Sequence, residues 1–207
     1  MGGATLIRMT ATVSTLTKGE QTRQTILDAA IVRFGRDGYR ASSVADIARD
    51  AGVGGTVAYA HFENKESLFL AALDTDAAAV INEGVLHLLD EDRIEWQETL
   101  VLALIDAIEQ HPLAKRVLSG LEPHATDRVI EIPALNELRR TVAARLRGQQ
   151  QTGIVRTDVD PDALADGSVG IILSVLMAVL QFGPMAISTF GPGIVAMFDA
   201  ALLPPEA

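Results

Sequence analysis

The stretch from Thr22 to Phe69 constrains the fold of this chain more than any other. Ile26, Ala30 and Phe34 recur every four residues, which predicts a helix with one buried stripe, closed by Gly38 with Tyr39 tucked beneath it. Ser43 opens a second helix. Its hydroxyl can accept from the free N–H groups of the first turn, and Asp46 stands three residues on, close to a capping box. Val44, Ile47, Ala48 and Ala51 then recur at i, i+3, i+4 and i+7, giving that helix one apolar face. Gly52 can adopt positive φ, so Ala51-Gly52-Val53 reads as a sharp reversal. It leads into a third helix carrying Tyr59, His61 and Phe62, with Lys65 just beyond. Two helices joined by a three-residue turn containing Gly form the helix-turn-helix unit, whose second helix enters the DNA major groove. Patterning alone would also suit an ordinary three-helix bundle.

Residue identities separate these readings. Thr22-Arg23, Ile26-Leu27, Ala29-Ala30, Phe34, Gly38-Tyr39, Ser43-Val44, Asp46-Ile47-Ala48 and Ala51-Gly52-Val53 are followed by Tyr59, His61-Phe62, Lys65-Glu66 and Leu68-Phe69. This ungapped series resembles the DNA-binding domain of TetR-family transcriptional regulators. The rest of the chain resembles that family only in length and helical pattern. The resemblance implies a ligand-responsive repressor, not an enzyme, that works in the cytoplasm and binds a near-palindromic operator as a homodimer. It implies DNA contacts from Ser43, Gly54, Gly55, Thr56, Tyr59, Ala60, His61 and Lys65, within a helix-turn-helix from Ser43 to Phe62, with His61 and Lys65 on phosphate. The competing class is a helical small-molecule carrier or enzyme in which the N-terminal unit is only structural.

The departures from the family fall where bases are read. Gly54 replaces the usual polar first residue, Val57 a frequent Thr or Ser, and Ala58 a Leu or Val. From Gly54 to Ala58 the only side-chain hydrogen-bonding group is the Thr56 hydroxyl, so no bidentate base contact is available. Readout would lean on Thr56, Tyr59, thymine methyls and DNA shape. Two adjacent glycines also weaken the helix, by roughly 1 kcal/mol each against Ala.

A net charge of −10 suits a DNA binder only once it is divided. Residues 1–65 carry eight Lys/Arg and six Asp/Glu, while residues 66–207 carry nine and twenty-one. A weakly basic head on an acidic body orients docking, because the body is repelled by the phosphates. With no cysteine, disulfides, thiolate metal sites and Cys nucleophiles are excluded.

Hydrophobic patterning predicts an all-α protein of nine helices in two domains. Residues 1–17 read as a flexible arm without the apolar core of a signal peptide, in which Arg8 is a candidate minor-groove contact. Residues 18–66 form the helix-turn-helix domain and 67–207 the effector and dimerisation domain. Asp90-Glu91-Asp92 supplies acids for a helix start, Pro133 opens a helix rich in Arg, and Asp160-Pro161 opens another ending at Gly183-Pro184. The last helix is expected to begin at Gly191-Pro192. From Gly167 to Phe198 no residue is charged, but only sixteen residues separate Asp166 from Gly183, short of the ~20 a membrane span needs. No membrane is therefore expected. Gly167, Gly170 and Ser174 line one side of that helix with small residues, and Ile171, Val175 and Ala178 continue an apolar surface, so these six are the expected dimer interface.

Trp96, Met177 and Gln181 are candidates to line a pocket for a small, largely apolar effector. His87, His111 and His124 have no acid or second His at ligand spacing and read as surface or loop residues. No catalytic residue, metal site or cofactor is expected: no nucleophile elbow occurs, and Gly52-Val53-Gly54-Gly55 lacks the strand and Lys of a phosphate loop.

Overall fold

The computed structural model describes residues 17–89 and 96–204. The arm with Arg8, and Asp90 to Asp92, lie outside the described residues, as does the side chain of Trp96. Among the described residues there is no strand. The helices are α1 (Lys18–Ala41), α2 (Val44–Asp50), α3 (Gly55–His61), α4 (Lys65–Leu89), α5 (Trp96–Ile108), α6 (Pro112–Leu118), α7 (Pro133–Gln151), α8 (Pro161–Phe182) and α9 (Met185–Leu202). Two short 3-10 turns, Pro123–Ala125 and Asp127–Glu131, bridge α6 and α7 and add to the nine helices expected.

Helix starts follow local chemistry. Thr17 and Glu20 cap α1 reciprocally, the Thr17 side chain accepting from the Glu20 N–H and Glu20 accepting from the Thr17 N–H. Asn64 and Ser67 do the same for α4. The Asp160 carboxylate accepts from the Asp162 N–H ahead of α8, with Pro161 at the first helical position.

Helix α4 is the spine of the molecule, packing against α1, α5, α6 and α7. Layers α7, α8 and α9 follow in order, each against the last. One continuous hydrophobic core runs from Ile26 in α1 to Leu202 in α9. Head and body therefore share packed side chains, with no separate core for each.

The last helix corrects the sequence reading. It begins at Met185, directly after the Gly183 reversal, and Pro192 sits inside it. A proline there removes one backbone hydrogen bond, and Pro192 is exposed, so its ring meets solvent rather than a neighbouring helix.

Candidate nucleic-acid interface

Side-chain and backbone hydrogen bonds fix both ends of α2 and the turn that follows it. Ser43 ahead of α2 accepts from the Asp46 N–H at 3.1 Å and donates to its carboxylate at 2.7 Å. At the other end the Val53 N–H reaches Ala48 O at 2.9 Å and the Gly52 N–H reaches Arg49 O at 3.1 Å. This is a Schellman motif, and it requires the positive φ of 67° that Gly52 adopts. The chain thus leaves α2 at a fixed angle and enters α3 through Gly54, an N-cap without a side-chain hydrogen bond.

Helix α3 is anchored from below. Ala58 is fully buried and Phe62 nearly so, with the Arg23 guanidinium 5.0 Å from the Phe62 ring centre. A small Ala at the inward position lets α3 sit close on α1 and α2. The outward face carries Gly54, Gly55, Thr56, Val57, Tyr59 and Ala60, with Tyr59 55% exposed and His61 half-buried at the end. Gly54, Gly55, Thr56, Tyr59, Ala60 and His61 therefore lie together on α3 and its N-cap, while the Ser43 hydroxyl is occupied in capping. Lys65 is half-buried and holds its ammonium 4.3 Å from the Tyr39 ring centre, a cation–π contact at the start of α4.

Ion pairs stiffen this head. Arg33 in α1 clasps Asp50 at the end of α2 through two bonds, 2.6 and 3.0 Å. Arg36 pairs with Asp37, and Arg49 with Asp46. Hydrogen bonds from Arg33 hold Asp50 below the ordinary carboxylate range, Arg36 does so for Asp37, and Ser43 with Arg49 does so for Asp46. Lys18 and Arg40 are exposed and have no ion pair among the described residues.

The junction between head and body contains residues that sequence reasoning missed. Glu122, 83 residues from Tyr39, is buried and accepts from the Tyr39 N–H at 3.1 Å and from Arg116 Nε at 2.7 Å. A side chain on Gly38, where φ is 83°, would strike both Arg116 and Glu122. His124 lies between Tyr39 and Phe69, 4.8 and 5.5 Å from their ring centres. Asp76, buried in α4, accepts from the N–H groups of Leu113 and Ala114 and so caps α6. His111 lies in a loop, as expected, but not without acid neighbours: Nδ1 lies 2.8 Å from Asp76 and Nε2 3.2 Å from Glu83. One signal was legible, an acid inside the apolar run of α4; the pairing distance was not.

In the body, apolar side chains of α4 to α8 enclose a cavity of about 50 Å³. Neither Met177 nor Gln181 lines it; the Gln181 amide donates to Leu118 O at 3.0 Å instead. The six expected interface residues of α8 do come together, along a groove completed by Ala186, Phe190 and Ile194 of α9.

Fold and site together define a helix-turn-helix DNA-binding protein whose reading helix is carried on an all-helical body. Residues 26–72 match the family model of bacterial regulatory proteins, tetR family. The HTH-type transcriptional regulator AcrR of Shigella flexneri is 28% identical over 106 residues, 42% of this chain and 49% of that protein, so the match spans about half its length. The uncharacterized HTH-type transcriptional regulator YdgC of Bacillus subtilis (strain 168) is 23% identical over 193 residues, 90% of this chain and 95% of its own. The crystal structure of a TetR-family transcriptional regulator from Pectobacterium atrosepticum has the same fold, with a TM-score of 0.71 at 21% identity over 92% of this chain and 100% of the other. Residues 26–72 are thus a DNA-binding domain of the tetR-family kind, and the fold of the whole chain is that of the solved TetR-family regulators.

Proposed function

We propose that this chain is a cytoplasmic, non-enzymatic repressor that binds a near-palindromic DNA operator as a homodimer and lets go when a small, largely apolar effector binds its body. The observation that carries the reading is the outward face of α3, with Thr56, Tyr59 and Ala60 bare on a scaffold buried beneath them. Thr56 and Tyr59 take base edges, thymine methyls or sugar; His61, Lys65 and the backbone at Gly54 and Gly55 take phosphate; Ser43 sets the angle of approach by capping α2. Residues 18–66 act as reading head and 67–207 as effector and dimer unit.

Bare apolar surface on α8 and α9 supports the dimer. By length and composition either helix could cross a membrane, and their most apolar windows are only 28% and 11% buried within one chain. Phe182 and Met185 are each 74% exposed where the two helices meet. We read that surface as the bed of a second copy, the small residues Gly167, Gly170 and Ser174 allowing close approach and Ile171, Val175 and Ala178 packing beside them. Two reading heads then address successive major grooves roughly 34–36 Å apart.

Effector binding changes affinity only by favouring one arrangement of the heads over another. Helices α4 and α6 carry that bias, because Glu122, Arg116, Asp76 and His111 tie them to α1 and to each other. Selection of bound sequences from a random duplex pool tests the reading. A near-palindrome should emerge for the wild-type chain and not for Tyr59→Ala. A Tyr59→Ala protein with wild-type affinity for the selected duplex would show that α3 is not the reading helix.

A further inference from the structure

Resting on the reading of the chain as an effector-responsive regulator, we propose that its effector site is the cleft between α5, α8 and α9. It takes an uncharged, mostly apolar molecule with a hydrogen-bond acceptor, received by the side-chain amide of Gln97. Helices α5 and α9 each pack against α8 rather than closely against one another, which leaves a cleft of about 620 Å³. That lies within the roughly 300–1,000 Å³ of small-molecule sites. The enclosed cavity nearer α4, with about 50 Å³, has room for only a few non-hydrogen atoms.

The walls define the chemistry. Val101, Val175, Ile187, Ile194, Val195 and Phe198 give the cleft an apolar lining. Gln97 is one of its few polar members, only 6% exposed, and its Nε2 has no hydrogen-bond partner. Buried donors are almost always paired, because leaving one unmade forfeits its hydration without return. A turn of the amide toward the cleft would let a ligand carbonyl, ester or ether oxygen pair it. Glu98 and Asp199 also line the cleft, and no Lys, Arg or His does among the described residues. An anionic ligand would meet two acids and no counter-charge, while a cation would give up its water for mostly apolar walls beside acids that stay exposed to solvent, so the ligand is neutral. Occupancy would act on the head through α5, which packs along α4.

The test uses two dyes on the full-length protein. Nile red is uncharged and carries a ring carbonyl; diphenylhexatriene is a hydrocarbon without an acceptor. Wild type should bind both saturably, near one per chain. Ile187→Trp, which fills the cleft, should weaken both by about tenfold or more, and Gln97→Leu should weaken Nile red by about three- to tenfold while sparing diphenylhexatriene. Val195→Trp fills the cleft from a more exposed wall, and serves should Ile187→Trp fail to fold by thermal melt. Wild-type Nile red binding by a folded Trp variant, equal loss of both dyes in Gln97→Leu, or dissociation of the dimer on dye binding would each overturn the assignment. Duplex binding is measured on the same proteins. A wild type that ignores duplex DNA sinks the regulator reading, and leaves the dye results to judge the cleft by themselves.

Discussion

The head and the α8–α9 layer are both helical and both rich in apolar residues, yet only the head is finished within one chain. In the head, Ile26, Ala30, Phe34, Ile47 and Ala58 are fully buried, and Arg33, Arg36 and Arg49 have carboxylate partners. In the outer layer Phe182, Met185, Phe190 and Met197 all stand more than half exposed, with no charge between Gly167 and Phe198 to explain them by solvation. The contrast teaches that the head is specified by short-range chemistry, whereas the outer layer leaves an apolar surface uncovered within one chain. Exposed patches of that kind mark interaction sites.

Breaking the unfinished region should have the largest effect. Val175→Asp places a charge in the groove of α8, and should yield a monomer whose operator affinity falls by about 10²–10⁴-fold, the gain that linking two sites supplies. Sedimentation and fluorescence anisotropy read the two parts separately. A Val175→Asp protein that remains a dimer would place the interface elsewhere.

Next in size is the junction between the regions. Glu122→Ala removes the acceptor for the Tyr39 N–H and the partner of Arg116 in a buried site. Stability should drop by about 1–3 kcal/mol, the cost of orphaned buried donors. Hydrogen exchange should show α1 opening before α8. Uniform loss of protection would mean the junction is not what joins head to body.

Within the head, two glycines should respond in opposite directions. Gly52→Ala forces a side chain into φ of 67° and should cost about 1–2 kcal/mol. Gly55→Ala meets open space at the first position of α3 and should stabilise by a fraction of the roughly 1 kcal/mol that separates Gly from Ala in a helix interior. Thermal melts of both variants settle the pair, and a stabilising Gly52→Ala would contradict the Schellman turn.

Acid should separate the regions most gently. Asp37, Asp46 and Asp50 have folded pKa values below their unfolded values, so the support they lend is present above about pH 3.9 and fades as pH falls through the folded values. Asp74 in the body runs the other way. Burial raises its pKa more than Arg128 lowers it, so its ionisation disfavours the fold as pH rises through the raised value. Amide exchange on acidification should therefore loosen α1 to α3 ahead of α4. Earlier opening around Asp74 would reverse the assignment.

Much of the head was legible because its signals are local. The Ser43 cap, the Gly52 reversal and the apolar spacing of Val44, Ile47 and Ala48 all sit within a few residues of what they control. The six small and apolar residues of the α8 groove were readable for the same reason. The start of α9 was not, because Gly191-Pro192 carries a breaker signature that its exposed position inside the helix does not enforce. Nor was the junction, since Tyr39 and Glu122, or Asp76 and His111, meet only once the chain has folded. Met177 and Gln181 lie on α8 but do not line the enclosed cavity, because helical periodicity gives a face and not the neighbour that covers it.

The central claim, a finished reading head made useful by an unfinished outer layer, is tested most directly by the stoichiometry of the wild-type chain on its selected duplex. Sedimentation equilibrium should give a free dimer at micromolar concentration and two chains per duplex, on half-sites about 10–10.5 base pairs apart. A free monomer, or one chain bound to a single half-site with full affinity, would contradict it.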